Sequence, residues 1–328
     1  MVKARLVATV VIGAAIVIGG VAGARRLHKL SPKDPIGRGA FRAEPSSPPC
    51  TADDESLCFI ALGDTGKDTT QRTLVVEAMA TSARIDAVSF FVLLGDNFYP
   101  TGVDAVDSPR FQEDFEDAFA ASDFPVPFYV ALGNHDHLGS AEAQVAYTAG
   151  SDRWSMPNRY YRVSKEAPDG STVDIIVLDT VPIVKGDATS QIQLRWLGRI
   201  LVESTADWRI LIGHHPVESG GVHGGSAPLK RRLASLLREG EVDLYLSGHD
   251  HDLQVLRLPG HGLAVVSGSS TLARAAGKIE STLYSESAPG FTRVRVNRDH
   301  LCVSMITLEG LRYERHIHHR EKTLGDIR

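Results

Sequence analysis

The sequence predicts an α/β fold, and three observations carry that reading. From residue 57 onward, short apolar runs alternate with amphipathic stretches, the pattern of strands interleaved with helices. Five of the apolar runs end directly in a glycine followed by Asp, Asn or His. The composition, 43% hydrophobic and 23% charged over 328 residues, is that of a globular chain long enough to bury a substantial core. The same figures exclude a disordered, collagen-like or multi-span membrane class. A net charge of -5 and a pI of about 6.2 give no basic bias toward nucleic acid as the main partner.

The elements follow in order. Residues 57–62 are continuously apolar and too short for a helix, so they read as a buried strand ending in Gly63-Asp64-Thr65-Gly66. Residues 71–84 are helical in pattern. A second buried strand at 87–94 ends in Gly95-Asp96-Asn97-Phe98-Tyr99, and a helix is expected at 110–121. The third strand, 126–132, ends in Gly133-Asn134-His135-Asp136. Strands at 173–178 and 209–212 flank a helix at 191–202, and the latter strand ends in Gly213-His214-His215-Pro216. A helix at 229–238 precedes a strand at 243–246 that ends in Gly248-His249-Asp250-His251. Residues 253–317 hold mostly short strand-like runs. There is no internal repeat.

In such folds ligands bind beyond the carboxyl ends of the strands, so the five motifs are expected to converge on one sheet edge. Together they offer Asp64, Asp96, Tyr99, Asn134, His214, His249 and His251. This is an oxygen and nitrogen set without sulfur, suited to iron, zinc or manganese. Seven donors exceed one tetrahedral ion and fit two if a carboxylate bridges them, an arrangement suited to phosphoryl chemistry. Taken singly, Asp64 and Asp96 read equally well as helix N-caps, Asn134 as a turn residue, and Tyr99 as a packing ring. Their joint, ordered placement at strand ends is what those separate readings do not explain.

The amino-terminal part differs from the rest. Lys3 and Arg5 precede an uncharged apolar run over 6–24, followed by Arg25 and Arg26. This reads as an export signal with Ala22-Gly23-Ala24 as a small-residue cleavage site, or as an uncleaved anchor, since about 19 residues also span a bilayer. Both place the remainder outside the cytoplasm, in the periplasm or extracellular space. Residues 31–55 read as a Pro-rich linker. Three cysteines are too few for a disulfide scaffold or a cysteine-built zinc site. Cys50 and Cys58 lie close enough in sequence to close a small disulfide loop, or are free thiols, and Cys302 reads as a buried inert thiol. The division expected is 1–30 signal or anchor, 31–55 linker, 56–318 catalytic domain and 319–328 polar tail.

The strings GDTG, GDNFY, GNHD, GHHP and GHDH, in this order, resemble the purple acid phosphatases of the metallophosphoesterase superfamily. The likeness is closest to the small, single-domain, tartrate-resistant type, and extends to GDNFYPTGV, RFQEDFEDAF, RWSMPNRYYRV and GHDHDLQ. The resemblance implies a four-layer α-β-β-α sandwich of two mixed sheets. It implies a ferric ion held by Asp64, Tyr99, His251 and the bridging Asp96. A second ion, Fe(II), Zn or Mn, would be held by Asp96, Asn134, His214 and His249. A tyrosinate on ferric iron gives the family its purple colour. His135 matches a histidine that contacts the phosphate and protonates the leaving group, and His223 matches a second active-site histidine more loosely. The activity implied is hydrolysis of small phosphate monoesters by attack of a metal-bound hydroxide, by a monomer, with substrate choice set by loops 217–228 and 277–289. The family's small type often carries a long regulatory loop after Leu178-Asp179-Thr180. Here it is short, which implies no proteolytic control. Two rival readings use the same residues: a manganese- or zinc-dependent phosphodiesterase or nucleotide phosphatase of the superfamily, and an envelope protein that binds phosphate or metal without turnover. Tyr99 opposes the first, because a phenolate favours ferric iron.

Overall fold

The computed structural model describes residue 50, residues 55–258 and residues 262–319. The predicted signal or anchor, nearly all of the linker and most of the polar tail lie outside the described residues. Among the described residues no helix is long and apolar enough to cross a membrane.

Two seven-stranded mixed sheets form the body. The first has the order β14 (Gly310–His318), β13 (His300–Thr307), β12 (Gly290–Val296), β1 (Leu57–Leu62), β2 (Val88–Leu93), β3 (Phe128–Val130), β4 (Trp154–Ser155). The second has the order β11 (Thr282–Glu286), β9 (Leu253–Arg257), β10 (Leu263–Ser267), β8 (Leu244–Ser247), β7 (Trp208–Ile212), β6 (Thr172–Val177), β5 (Tyr161–Glu166). Strands β1, β2 and β3 run parallel, as do β6, β7 and β8. The carboxyl ends within each set therefore point the same way.

Side-chain alternation assigns the layers. In β6, Val173, Ile175 and Val177 join one apolar cluster while Ile176 joins another; in β7, Ile210 and Ile212 face one way and Leu211 the other; in β8, Leu244 and Leu246 oppose Tyr245. The first cluster also holds Phe59 and Phe90 of the first sheet, stacked 4.8 Å apart, and Lys165 of β5 lies over Phe90, so these residues face the seam between the sheets. The second cluster is closed by α3 (Thr180–Lys185), α4 (Ala188–Glu203) and α5 (Ala227–Glu239) through Ile183, Leu197 and Leu233. The outer face of the first sheet is covered by α1 (Thr70–Ile85) with Val75 and Met79, and by a phenylalanine-rich segment. A short helix, α2 (Ala141–Tyr147), follows the third motif. The architecture is the four-layer sandwich. Burying strands on both faces explains why they read as continuous apolar runs.

Two expectations need correction and a third is refined. The helix expected at 110–121 is present but short and widened: residues 110–111 are α-helical and Gln112–Glu116 form a π-helical turn. Its buried Phe111, Phe115 and Phe119, with Phe124 beyond it, form an aromatic cluster around Phe128 and Trp154. Cys50 pairs with Cys302, not with Cys58. Their Cα atoms are 6.0 Å apart across 252 residues of sequence, and Cys58 is a free buried thiol on β1. Cys302 is therefore half of a bridge that pins the segment before β1 to β13. Of the loop 277–289, residues 282–286 form β11 at a sheet edge. The short segment after Asp179 is helical, with α3 and α4 separated by Gly186 and Asp187.

Candidate active site

All five motifs lie at strand carboxyl ends, but not at the edge of one sheet. Asp64, Asp96 and Asn134 follow β1, β2 and β3 in the first sheet; His214 and the His249–His251 pair follow β7 and β8 in the second. The site is assembled where the two sheets meet. Hydrogen bonds from one sheet to the other fix that meeting: Gly63 N–H donates to Ser267 O at 2.8 Å, and Thr271 Oγ1 donates to Asp64 O at 2.9 Å.

The backbone leaves each strand sharply. Asp64, Asp96 and His249 have φ of 61°, 54° and 70°, a left-handed conformation costly for residues with a Cβ and concentrated at functional sites. Gly248 makes room for the turn, because a Cβ there would lie 2.6 Å from Asp64 Oδ2.

The carboxylates divide their labour. Asp64 Oδ2 accepts from His249 N–H at 2.9 Å, while Oδ1 accepts from the Tyr99 hydroxyl at 2.8 Å and lies 3.4 Å from His251 Nε2. Asp96 Oδ1 accepts from His135 N–H at 2.9 Å, while Oδ2 accepts from Tyr99 at 2.9 Å and lies 3.4 Å from His214 Nε2. His214 Nε2 lies 3.1 Å from Asn134 Oδ1 and 3.2 Å from His249 Nδ1. All seven expected donors are thus brought together. His214 Nδ1–H donates to Leu94 O at 2.9 Å, which fixes the tautomer and leaves Nε2 with its lone pair facing the cluster. His215 is turned away, its Nδ1 at 2.8 Å from Thr180 Oγ1.

This donor set fits cations. Ligand atoms of Asp64, Asp96 and His214 lie within 4.8 Å of one another in a buried space. Burial, then the charge of Asp96, pushes the Asp64 carboxyl well above the usual carboxylate range. Burial, then Asp64 and Asp96, pushes the Tyr99 phenol upward. Burial, then the neighbouring His249, holds His214 well below its ordinary value; burial, then Arg274, lowers His251 to about 4. Crowded anions that resist charging, beside histidines kept neutral, are what a bound metal pair would relieve and use.

His135 packs against Tyr99, with ring centroids 4.4 Å apart and the rings tilted by 56°, and its Nδ1–H donates to Pro100 O at 2.6 Å. His223 reaches the same cavity, with its ring centroid 4.8 Å from that of His249. Sequence reading missed the supports. Asp136 accepts from the backbone N–H of Gly133 at 2.7 Å and Asn97 at 3.1 Å, and Gln144 donates to it at 3.0 Å. Burial, then Asp96, raises Asp136 to about 7. Asp136 and Asn97 stand inside the motifs, so their position was a usable signal. Lys67 and Arg274, which also line the cavity, carry no motif.

Residues 59–253 match the calcineurin-like phosphoesterase family. Tartrate-resistant acid phosphatase type 5 of Rattus norvegicus is 38% identical over 230 residues, covering 63% of this chain and 70% of the rat protein. Purple acid phosphatase 3 of Arabidopsis thaliana is 29% identical over 297 residues, covering 82% of this chain and 78% of that one. Among solved structures, GAP50, the anchor in the inner membrane complex of Plasmodium, superposes with a TM-score of 0.74 at 24% identity, covering 82% of this chain and 90% of that one. The yellow lupin purple acid phosphatase PPD1 gives 0.62 at 14%, covering 83% of this chain and 55% of that one. At these identities the two structures speak for the fold, and the sequence matches for the family. The chain belongs to the calcineurin-like phosphoesterases, and within that superfamily it is a purple acid phosphatase, a dinuclear-metal hydrolase of phosphate monoesters.

Proposed function

We propose that Asp64, Tyr99, His251 and the shared Asp96 hold a ferric ion, and that Asp96, Asn134, His214 and His249 hold a divalent partner, Fe(II), Zn or Mn. One observation carries this: the Tyr99 hydroxyl lies between Asp64 and Asp96, with His251 Nε2 at 3.4 Å, while Asp96 Oδ2 also approaches His214. When bound, the metal pair supplies an activated water and neutralises the phosphoryl oxygens.

The chain's own residues do the rest. His135 has its Nδ1 proton committed to Pro100 O, so an added proton resides on Nε2, the nitrogen left to face a leaving oxygen. That suits delivery of a proton to the departing alcohol. His223 Nε2 lies 2.9 Å from Arg274 Nη1, and a guanidinium can only donate. His223 therefore accepts there, which suits holding substrate more than supplying a proton.

The catalytic domain of this reading is 56–318, monomeric and acting outside the cytoplasm, behind a cleaved signal or a tether through residues 6–24. The Cys50–Cys302 bridge supports an oxidising compartment. Metal analysis of the isolated protein, with turnover of 4-nitrophenyl phosphate against bis(4-nitrophenyl) phosphate, tests the proposal. Two metals with one iron and a preference for the monoester are expected. Two metals without iron, or a preference for the diester, would move the chain to the manganese- or zinc-dependent branch.

A further inference from the structure

The cavity over the metal-ligand cluster has a volume of about 410 Å³, room for a whole small molecule and not only for a phosphoryl group. Outside the expected ligands and histidines, its lining is Lys67, Thr69, Thr271, Leu272 and Arg274. Its hydroxyls are spent inside the protein: Thr69 Oγ1 donates to Thr271 O at 3.1 Å, and Thr271 Oγ1 to Asp64 O at 2.9 Å. What remains for a leaving group is the exposed Leu272, the Lys67 ammonium and the Arg274 guanidinium.

Neither cation has a carboxylate partner among the described residues, although most of the described arginines do. Asp68, beside Lys67, is engaged by Arg72 at 3.0 Å. Arg274 is nonetheless held in place. Its backbone N–H donates to His251 O at 2.7 Å, and its Nη1 donates to His223 Nε2 at 2.9 Å. That uses one of the five N–H donors of a guanidinium and leaves a fork suited to an oxyanion.

We infer that this part of the lining is a subsite for a second anionic group on the leaving alcohol, with Arg274 as the specificity-determining residue and Lys67 assisting. The favoured substrates are phosphate monoesters whose alcohol carries a carboxylate or a further phosphate. The inference rests on the phosphatase reading of the site and narrows its substrate class.

The test uses the full-length, metal-loaded protein and two matched pairs of probes. Phenyl phosphate and 3-carboxyphenyl phosphate report kcat/KM. Phenylphosphonate and 3-carboxyphenylphosphonate, which are not hydrolysed, report Kd. The wild type is expected to favour the carboxylated member of each pair by about tenfold, a charge-assisted contact. In Arg274→Gln both ratios fall to about one, and Arg274→Lys, which keeps charge but loses the fork, falls between. Because a ratio is read, a loss shared by both members cancels. Ratios unchanged by Arg274→Gln would overturn the inference. So would an equal loss on both members, which would assign Arg274 to the transferred phosphate through His223. If the wild type hydrolysed neither ester, the phosphatase reading would fail while the phosphonate ratio still decided the subsite.

Discussion

Gly95 is where one methyl group should separate folding cost from metal binding. The residue has φ of +90°, and a Cβ built there would lie 2.7 Å from His214 Nδ1 and 2.8 Å from both His214 Cβ and Gly133 N. His214 is completely buried and cannot swing into solvent. Gly95→Ala therefore imposes two costs. A left-handed backbone with a Cβ costs about 1–2 kcal/mol. Displacing His214 also strains or breaks its 2.9 Å bond to Leu94 O, about 1 kcal/mol. The sum, about 2–3 kcal/mol, should lower Tm by roughly 5–12 °C for a domain of this size. Metal binding should suffer as well, because the Leu94 bond aims Nε2, and losing such a support typically weakens binding by about 10–100-fold. Gly310→Ala is the control. Its φ is +104° with nothing within 4 Å of a Cβ, and it opens β14 just after the turn from β13. It should show the backbone cost alone, with unchanged metal affinity. Chelator-competition titrations and thermal melts of both variants measure this. A metal affinity in Gly95→Ala within twofold of wild type would refute the reasoning, as would an equal loss in Gly310→Ala.

Other outcomes follow from the same geometry. His135→Ala should keep its metals and lose about 10²–10⁴ in turnover, checked by metal analysis beside steady-state kinetics; unchanged turnover would remove His135 from proton delivery. Burial raises the Cys58 thiol from 9.0 to about 11. Its neutral form is favoured in the folded chain, so its contribution is fully present below pH 9 and is lost as pH rises through 11, at most about 2–3 kcal/mol. Alkylation at pH 8.5 should then label Cys58 only after unfolding. Cys302→Ser should destabilise by about 2–5 kcal/mol, since the bridge closes a loop of 252 residues; a denaturant midpoint identical to wild type would contradict its stabilising role. Limited proteolysis around residues 181–190 should leave activity unchanged, because α3 and α4 follow Asp179 directly and leave little loop to cut.

The ligand motifs were legible because chemistry and chain geometry coincide in them. A glycine that lets the chain turn, next to a side chain that can bind, stands at the end of an apolar run in each of five places. Both signals are local, so one sequence suffices to find them. Alternation of runs and amphipathic stretches gave α/β for the same reason. Even the supports Asn97 and Asp136 were within reach, since they sit inside motifs already singled out.

What the chain could not show by itself depends on contacts between distant residues. The division of the motifs between two sheets follows from strand order, and strand order is set by pairings such as β1 with β12, more than 230 residues apart in sequence. Nearness in sequence offered only Cys58 as a partner for Cys50, whereas the fold places β13, with Cys302, beside the segment that carries Cys50. The spacing at 110–121 showed a helix but not its widened turn at Gln112–Glu116, where Phe115 packs against the ring of Phe128. Arg274 had no motif at all. Its position over the ligand cluster arises because the chain after β10 folds back across His251 and His223. The sequence by itself determined which side chains offer metal-binding donors and where each strand ends. Only the tertiary structure decided which of them share a cavity, since a short-range pattern carries no information about long-range packing.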